Sequence, residues 1–109
     1  MIQHQLYCGH QSSAMSEEET ATLIRELAMQ YFGNGHTLIS AEGRWQGVMV
    51  QCNEPTTIVE VWEANGFGTP DLGGFVREFK NLAAQESVVL ISHSAVSYTH
   101  LTLPTILLV

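Results

Sequence analysis

Residues 56–63 read Thr-Thr-Ile-Val-Glu-Val-Trp-Glu, and this run decides the fold class. Five of its eight side chains are β-branched, a composition that favours extended backbone over helix. Strand periodicity sets Ile58, Glu60 and Trp62 on one face and Thr57, Val59 and Val61 on the other. Just upstream, Asn53-Glu54-Pro55 carries turn-forming residues and is predicted to reverse the chain after an extended Val48–Cys52. Further back, Thr37–Glu42 reads as a strand, which Gly43 is expected to break or bulge before Arg44 and Trp45.

The flanks supply helices and two more strands. Gln3–Cys8 alternates, with Ile2, His4, Leu6 and Cys8 on one face and Gln3, Gln5 and Tyr7 on the other. Ser16 followed by Glu19 is a capping box, and the acidic side chains at 17–19 suit the positive end of a helix dipole. Leu23, Ile24, Leu27, Ala28 and Tyr31 then share one stripe, and Gly33-Asn34-Gly35 ends the helix. After the glycine-rich loop Ala64–Pro70, Asp71 caps a second helix with Leu72, Phe75, Val76, Phe79, Leu82 and Ala83 on one face. Val88–Ile91 reads as the last strand of the domain. The order β-α-β-β-α-β predicts a ferredoxin-like α+β fold, an antiparallel sheet with two helices on one face.

Composition excludes several functions. Eleven acidic residues stand against four basic ones, a formal net charge of −7, which opposes a nucleic-acid polymer as partner. No apolar run approaches the roughly 18–20 residues that cross a bilayer, and the polar N-terminus does not read as a signal peptide. A cytoplasmic protein without a membrane partner is the expectation. Cys8 and Cys52 have neither CxxC spacing nor a Cys/His ladder, so they read as reduced thiols rather than zinc ligands. A site of His4, His93 and Glu60 is conceivable for a transition metal, but the histidines lack HxH or HxxxH spacing and no metal or other cofactor is expected.

The chemistry that stands out is aromatic and polar. Tyr7, Glu60 and Trp62, with Arg44 and Trp45 from the neighbouring strand, are the candidate ligand-binding residues. Two indoles, a phenol, a guanidinium fork and a carboxylate suit a flat, hydrogen-bonding heterocycle. The same residue types are enriched where copies of a protein meet, so a homo-oligomer is expected too. The stretch 66–74, GFGTPDLGG, lacks GxxxxGK[ST] and carries Asp71 where an anion would sit. No nucleophile, base and orienting group assemble into a catalytic site.

Leu6–Gly9, Ser16–Glu19, Gly35–Leu38, Gly43–Trp45, Glu54–Val59 and Gln85–Val88 resemble, in order, a family of small bacterial and phage proteins catalogued as a domain of unknown function. That family carries Phe-Pro where this chain has Phe32-Gly33. The resemblance implies the ferredoxin-like fold and brings no reaction. A second resemblance concerns Val96–Thr105, VSYTHLTLPT, which matches the translation of the mosaic end and adapter of transposase-based sequencing libraries. Residues 1–95 are therefore expected to form a single native domain from a metagenomic phage, and 96–109 an adapter-derived tail. The tail's β-prone end is still expected to extend the last strand or pair with a sheet edge, with Pro104 interrupting the pairing.

These readings converge on a non-enzymatic, homo-oligomeric module that binds a small polar or nucleotide-like ligand. A phage sponge for an immune signalling nucleotide is the specific candidate, by fold analogy. The alternatives are a small dimeric enzyme of the α/β-barrel kind, with Glu60 or a histidine as base, and a protein-interaction module with a flat open sheet.

Overall fold

In the computed structural model, which describes residues 1–46, 51–64, 66, 68–85, 88–94 and 105–108, the elements follow in the expected order. They are β1 (Ile2–Gly9), α1 (Glu17–Phe32), β2 (His36–Gln46), β3 (Gln51–Glu63), α2 (Leu72–Ala83), β4 (Val89–Ser94) and β5 (Thr105–Leu108). The sheet order is β2-β3-β1-β4-β5 and every pairing is antiparallel. The first four strands and the two helices make the ferredoxin-like α+β fold.

Local chemistry sets the helix ends. Ser16 accepts from the Glu19 amide at 3.1 Å while Glu19 accepts from the Ser16 amide at 3.1 Å, closing the capping box. Gly33 ends α1 at φ 56°, with its N–H donating to the Met29 carbonyl. Asp71 caps α2 by accepting from the Gly74 amide at 2.9 Å, so this helix end is already occupied by its own carboxylate. The helices touch at Gly74, where a Cβ would stand 2.7 Å from the Tyr31 ring.

The core lies between the helices and one sheet face. Leu6, Cys8, Val59, Val61 and Val88 meet Ile24, Leu27, Ala28, Phe75, Val76, Phe79 and Ala83 there. Burial of such side chains supplies most of the folding free energy. Leu82, predicted on the buried stripe of α2, is instead 47% exposed, at the solvent-facing margin of that helix.

Two expectations about the central hairpin are corrected. Asn53-Glu54-Pro55 is not a turn but part of β3, paired with Arg44, Gly43 and Glu42. Pro55 is tolerated because its carbonyl accepts from the His10 amide at 2.9 Å, so its ring nitrogen also faces the β1 side. β1 ends at Gly9, so the one reciprocal bond that the proline cannot donate falls just past the end of the ladder. Gly43 makes no bulge either, since the register runs without interruption from His36–Val61 to Gln46–Gln51. Residues 48–50 of the predicted extended segment lie outside the described residues.

Thr105–Leu108 pairs with Ser92–Val89, so the β-prone C-terminal run does join the sheet edge. Pro104 lies outside the described residues.

Candidate functional site

The register separates the side chains of the sheet into two faces. Directly opposed residues share a face, so the row Leu38, Val59, Leu6 and Leu90 faces the helices. The opposite face carries Glu54, Thr56 and Gly9 towards the distal end of the hairpin, and three further rows. Ile39, Ile58, Tyr7 and Val89 form one; Thr37, Glu60, Gln5 and Ile91 the next; Trp62, Gln3 and His93 the third.

Tyr7, Glu60 and Trp62 are therefore brought together as neighbours on this face. Trp62 is 45% exposed and Ile39 37%, while Tyr7, Ile58 and Glu60 are half-buried. Gln5 donates to Glu60 Oε2 at 3.3 Å, and His93 Nε2 donates to the Gln3 side-chain carbonyl. The result is an aromatic and aliphatic floor with a carboxylate, two amides and an imidazole on it. Such a surface can stack a flat ring and fix its edge by hydrogen bonds.

Arg44 is not part of that group. It pairs with Asn53 at the distal end of the β2–β3 hairpin and, by alternation from Leu38, falls on the helix side of the sheet. Trp45 pairs with Cys52 in the same distal stretch, and its side chain lies outside the described residues. The metal constellation of His4, His93 and Glu60 is divided between the faces, since His4 points to the helices and the other two do not.

His4 has a different role. Buried to 7% exposure, it lies 2.9 Å from Glu63 Oε1 through Nε2 and 2.7 Å from Ser92 Oγ through Nδ1. The Glu63 carboxylate requires a donor at Nε2, which leaves Nδ1 of a neutral ring to accept the Ser92 hydroxyl. This relay ties β1, β3 and β4 together and satisfies a buried imidazole. Local sequence spacing gave no sign of it, because the partners are 59 and 88 positions apart.

Sequence reading also missed Glu54, hidden inside the expected turn. Its carboxylate is buried against Gly9 and accepts from the Gln11 amide; a Cβ on Gly9 would stand 2.2 Å from Glu54 Oε1. Burial raises the Glu54 pKa above the usual 4.5, opposed by the Gln11 hydrogen bond and reinforced by Glu17. Nearby, His10 Nε2 is 2.7 Å from Thr57 Oγ1, and burial lowers its pKa from 6.5, with Glu17 opposing and Arg25 assisting.

The Glu54 shift predicts a pH dependence. A raised folded pKa means that the native carboxyl holds its proton more tightly than the unfolded one. Stability is thus present at low pH and is lost as pH rises through 4.5 and past the folded value. Glu54→Gln keeps an acceptor for the Gln11 amide and removes the ionisation. The variant's denaturation midpoint is expected to gain on the parent's as pH rises from about 4 to about 7. His10 is common to both proteins and cancels; a midpoint difference that is flat across this range contradicts the assignment.

No family model and no curated protein matches the chain. Among solved structures, a phage SAM lyase in its apo state is similar at 14% identity and TM-score 0.58, covering 99% of this chain and 89% of that one. A phage SAM lyase in complex with S-methyl-5'-thioadenosine is similar at 13% identity, with the same coverage and TM-score. At this identity the likeness shows the fold.

Proposed function

We propose that this chain binds an adenosine-type nucleoside carrying sulfur at its 5' position, on the sheet face opposite the helices. The observation that supports it most is the match along nearly the whole chain to a protein whose structure holds S-methyl-5'-thioadenosine. The chemistry of the face agrees. Trp62 and Tyr7 offer stacking surface for a purine, and Gln5, Gln3 and Glu60 offer donors and acceptors for base and ribose.

Charge selects within nucleosides. Among the described residues this face carries Glu54 and Glu60 and no lysine or arginine. A phosphate would find no counter-charge there, whereas a cationic sulfonium such as S-adenosylmethionine would meet Glu60. A sponge for an immune signalling nucleotide shares the base and ribose with this reading, and its phosphates would need a cation from outside the face. A phage-encoded homo-oligomer acting in the host cytoplasm fits the phage neighbour, and the exposed Trp62 and Ile39 are the apolar surface left to the ligand.

The enzyme alternative is favoured by one observation, that the similar structures are lyases. Cleavage would break the bond from sulfur to the amino-acid chain and leave its electron pair on sulfur as neutral methylthioadenosine. The chain would depart as a lactone through attack of its own carboxylate, or as an alkene after losing a proton to Glu60 or Glu54. A thermal-shift panel of S-methyl-5'-thioadenosine, S-adenosylmethionine and cyclic or linear phosphorylated nucleotides, followed by chromatography of the sulfonium sample, separates the readings. Stabilisation by the two sulfur nucleosides with the sulfonium intact is the expected result. Product formation establishes the enzyme, and stabilisation by phosphorylated nucleotides alone overturns the ligand class.

The folding unit proposed is 1–95, with 96–109 an adapter-derived appendage. In support, β1 to β4 and the two helices already enclose a continuous core that includes Leu6, Ile24, Val59, Phe75, Phe79 and Val88. A chain ending at Ala95 is expected to unfold cooperatively within about 5 °C of the longer one, a shift that corresponds to roughly 1 kcal/mol in a domain of this size. Failure of the shorter chain to fold contradicts this boundary.

A further inference from the structure

We propose that two copies of this chain join through β2, edge to edge, about a two-fold axis at Gly43. The inference stands on the strand register and is independent of the ligand.

β2 ends the sheet and runs for 11 residues, and among the described residues nothing pairs with its outer side. It contains neither proline nor lysine, and its register shows no bulge, the usual devices that blunt an exposed edge. The β2–β3 ladder also continues to Gln46–Gln51, whereas the β1–β3 ladder stops at Gly9–Thr56. The distal part of β2 thus belongs to an arm projecting past the neighbouring strand.

The direction of the free backbone groups follows from Pro55. Its carbonyl accepts from the His10 amide, so its backbone groups face β1. Glu42, opposite Pro55, is therefore in a non-hydrogen-bonded pair and turns its own N–H and C=O outward. Alternation gives the same outward direction to Leu38, Ser40 and Arg44.

Only some registers with a second β2 use these groups. An antiparallel pairing centred on Gly43 sets Glu42 opposite Arg44 of the second copy, and Arg44 opposite its Glu42. Both are hydrogen-bonded pairs built from outward-facing residues, and both unite opposite charges on one face. Glu42 and Arg44 are exposed and have no ion-pair partner among the described residues. Centring on Glu42 or on Arg44 would oppose like charges; centring on Ala41 would set them against Ser40 and Leu38. At the centre, the two Gly43 residues form the close, non-hydrogen-bonded pair, where the absence of a side chain removes crowding. The partner that fits this edge is a second copy, and the union would make one continuous sheet with both open faces on the same side.

The test uses the full chain. Light scattering is expected to show a dimer whose dissociation constant rises at least tenfold with Glu42→Arg or with Arg44→Glu. The double swap Glu42→Arg/Arg44→Glu restores it. Independently, oxidised Gly43→Cys is expected to give a disulfide-linked dimer, while Ile39→Cys and the parent chain, with its own Cys8 and Cys52, do not. A monomeric parent, a dimer indifferent to both single swaps, or Gly43→Cys cross-linking no better than Ile39→Cys overturns the proposal.

Discussion

Phe75→Ala is expected to remove about 3–5 kcal/mol of folding stability, the range for truncating a buried aromatic ring. Phe75 is fully buried on the inner face of α2. Its ring centroid lies 5.4 Å from Phe32, 6.2 Å from Phe79 and 6.3 Å from Tyr31, the last edge-on. Removing it leaves a cavity where α1, α2 and the sheet meet, and the neighbouring rings lose favourable contacts on one side. Domains of this size hold roughly 5–15 kcal/mol in total, so the variant sits near its unfolding threshold. Urea denaturation measures the loss as a fall in midpoint at unchanged slope. A loss below about 1 kcal/mol contradicts this description of the core.

The second large effect concerns the ligand. Glu60→Gln keeps the size of the side chain and removes its charge from the open face. A sulfonium ligand is expected to lose tenfold or more in affinity, about 1.4 kcal/mol, because it loses an opposite charge on a partly desolvated surface. The neutral thioether is expected to change by no more than about threefold, since Gln still offers an acceptor. Titration of both ligands against both proteins gives the comparison. Equal losses for the charged and neutral ligands contradict a charge role for Glu60.

How the hairpin was misread shows where sequence stops being informative. Ser16 and Glu19 announce α1 because a capping box is completed within four residues, and Thr56–Glu63 announces β3 because its β-branched run needs no distant partner. Asn53-Glu54-Pro55 misleads because its turn propensity is real but is overridden by pairing with Glu42–Arg44. The expected bulge at Gly43 is likewise overridden, since the register runs on without interruption. Arg44 and Trp45 are both expected as ligand contacts from their place on the neighbouring strand, yet adjacent residues of an unbroken strand face opposite ways, and the continuous register sets Arg44 on the helix side. Glu54 is hidden by the expected turn at 53–55.

Tyr7, Glu60 and Trp62 were legible as a group because simple alternation in β1 and β3 is enough to set them on one face. The His4–Glu63–Ser92 relay was not, since it depends on which strands become neighbours and in what register. Topology can be argued from the order of elements; register between strands far apart in sequence cannot.

Calorimetric titration of S-methyl-5'-thioadenosine into the full chain, and into a Tyr7→Ala/Trp62→Ala variant of matched thermal stability, tests the central claim. The account predicts a saturable one-site isotherm for the parent and its loss in the variant. No heat with the parent, or an isotherm that the variant retains, would show that the open sheet face is not the ligand site.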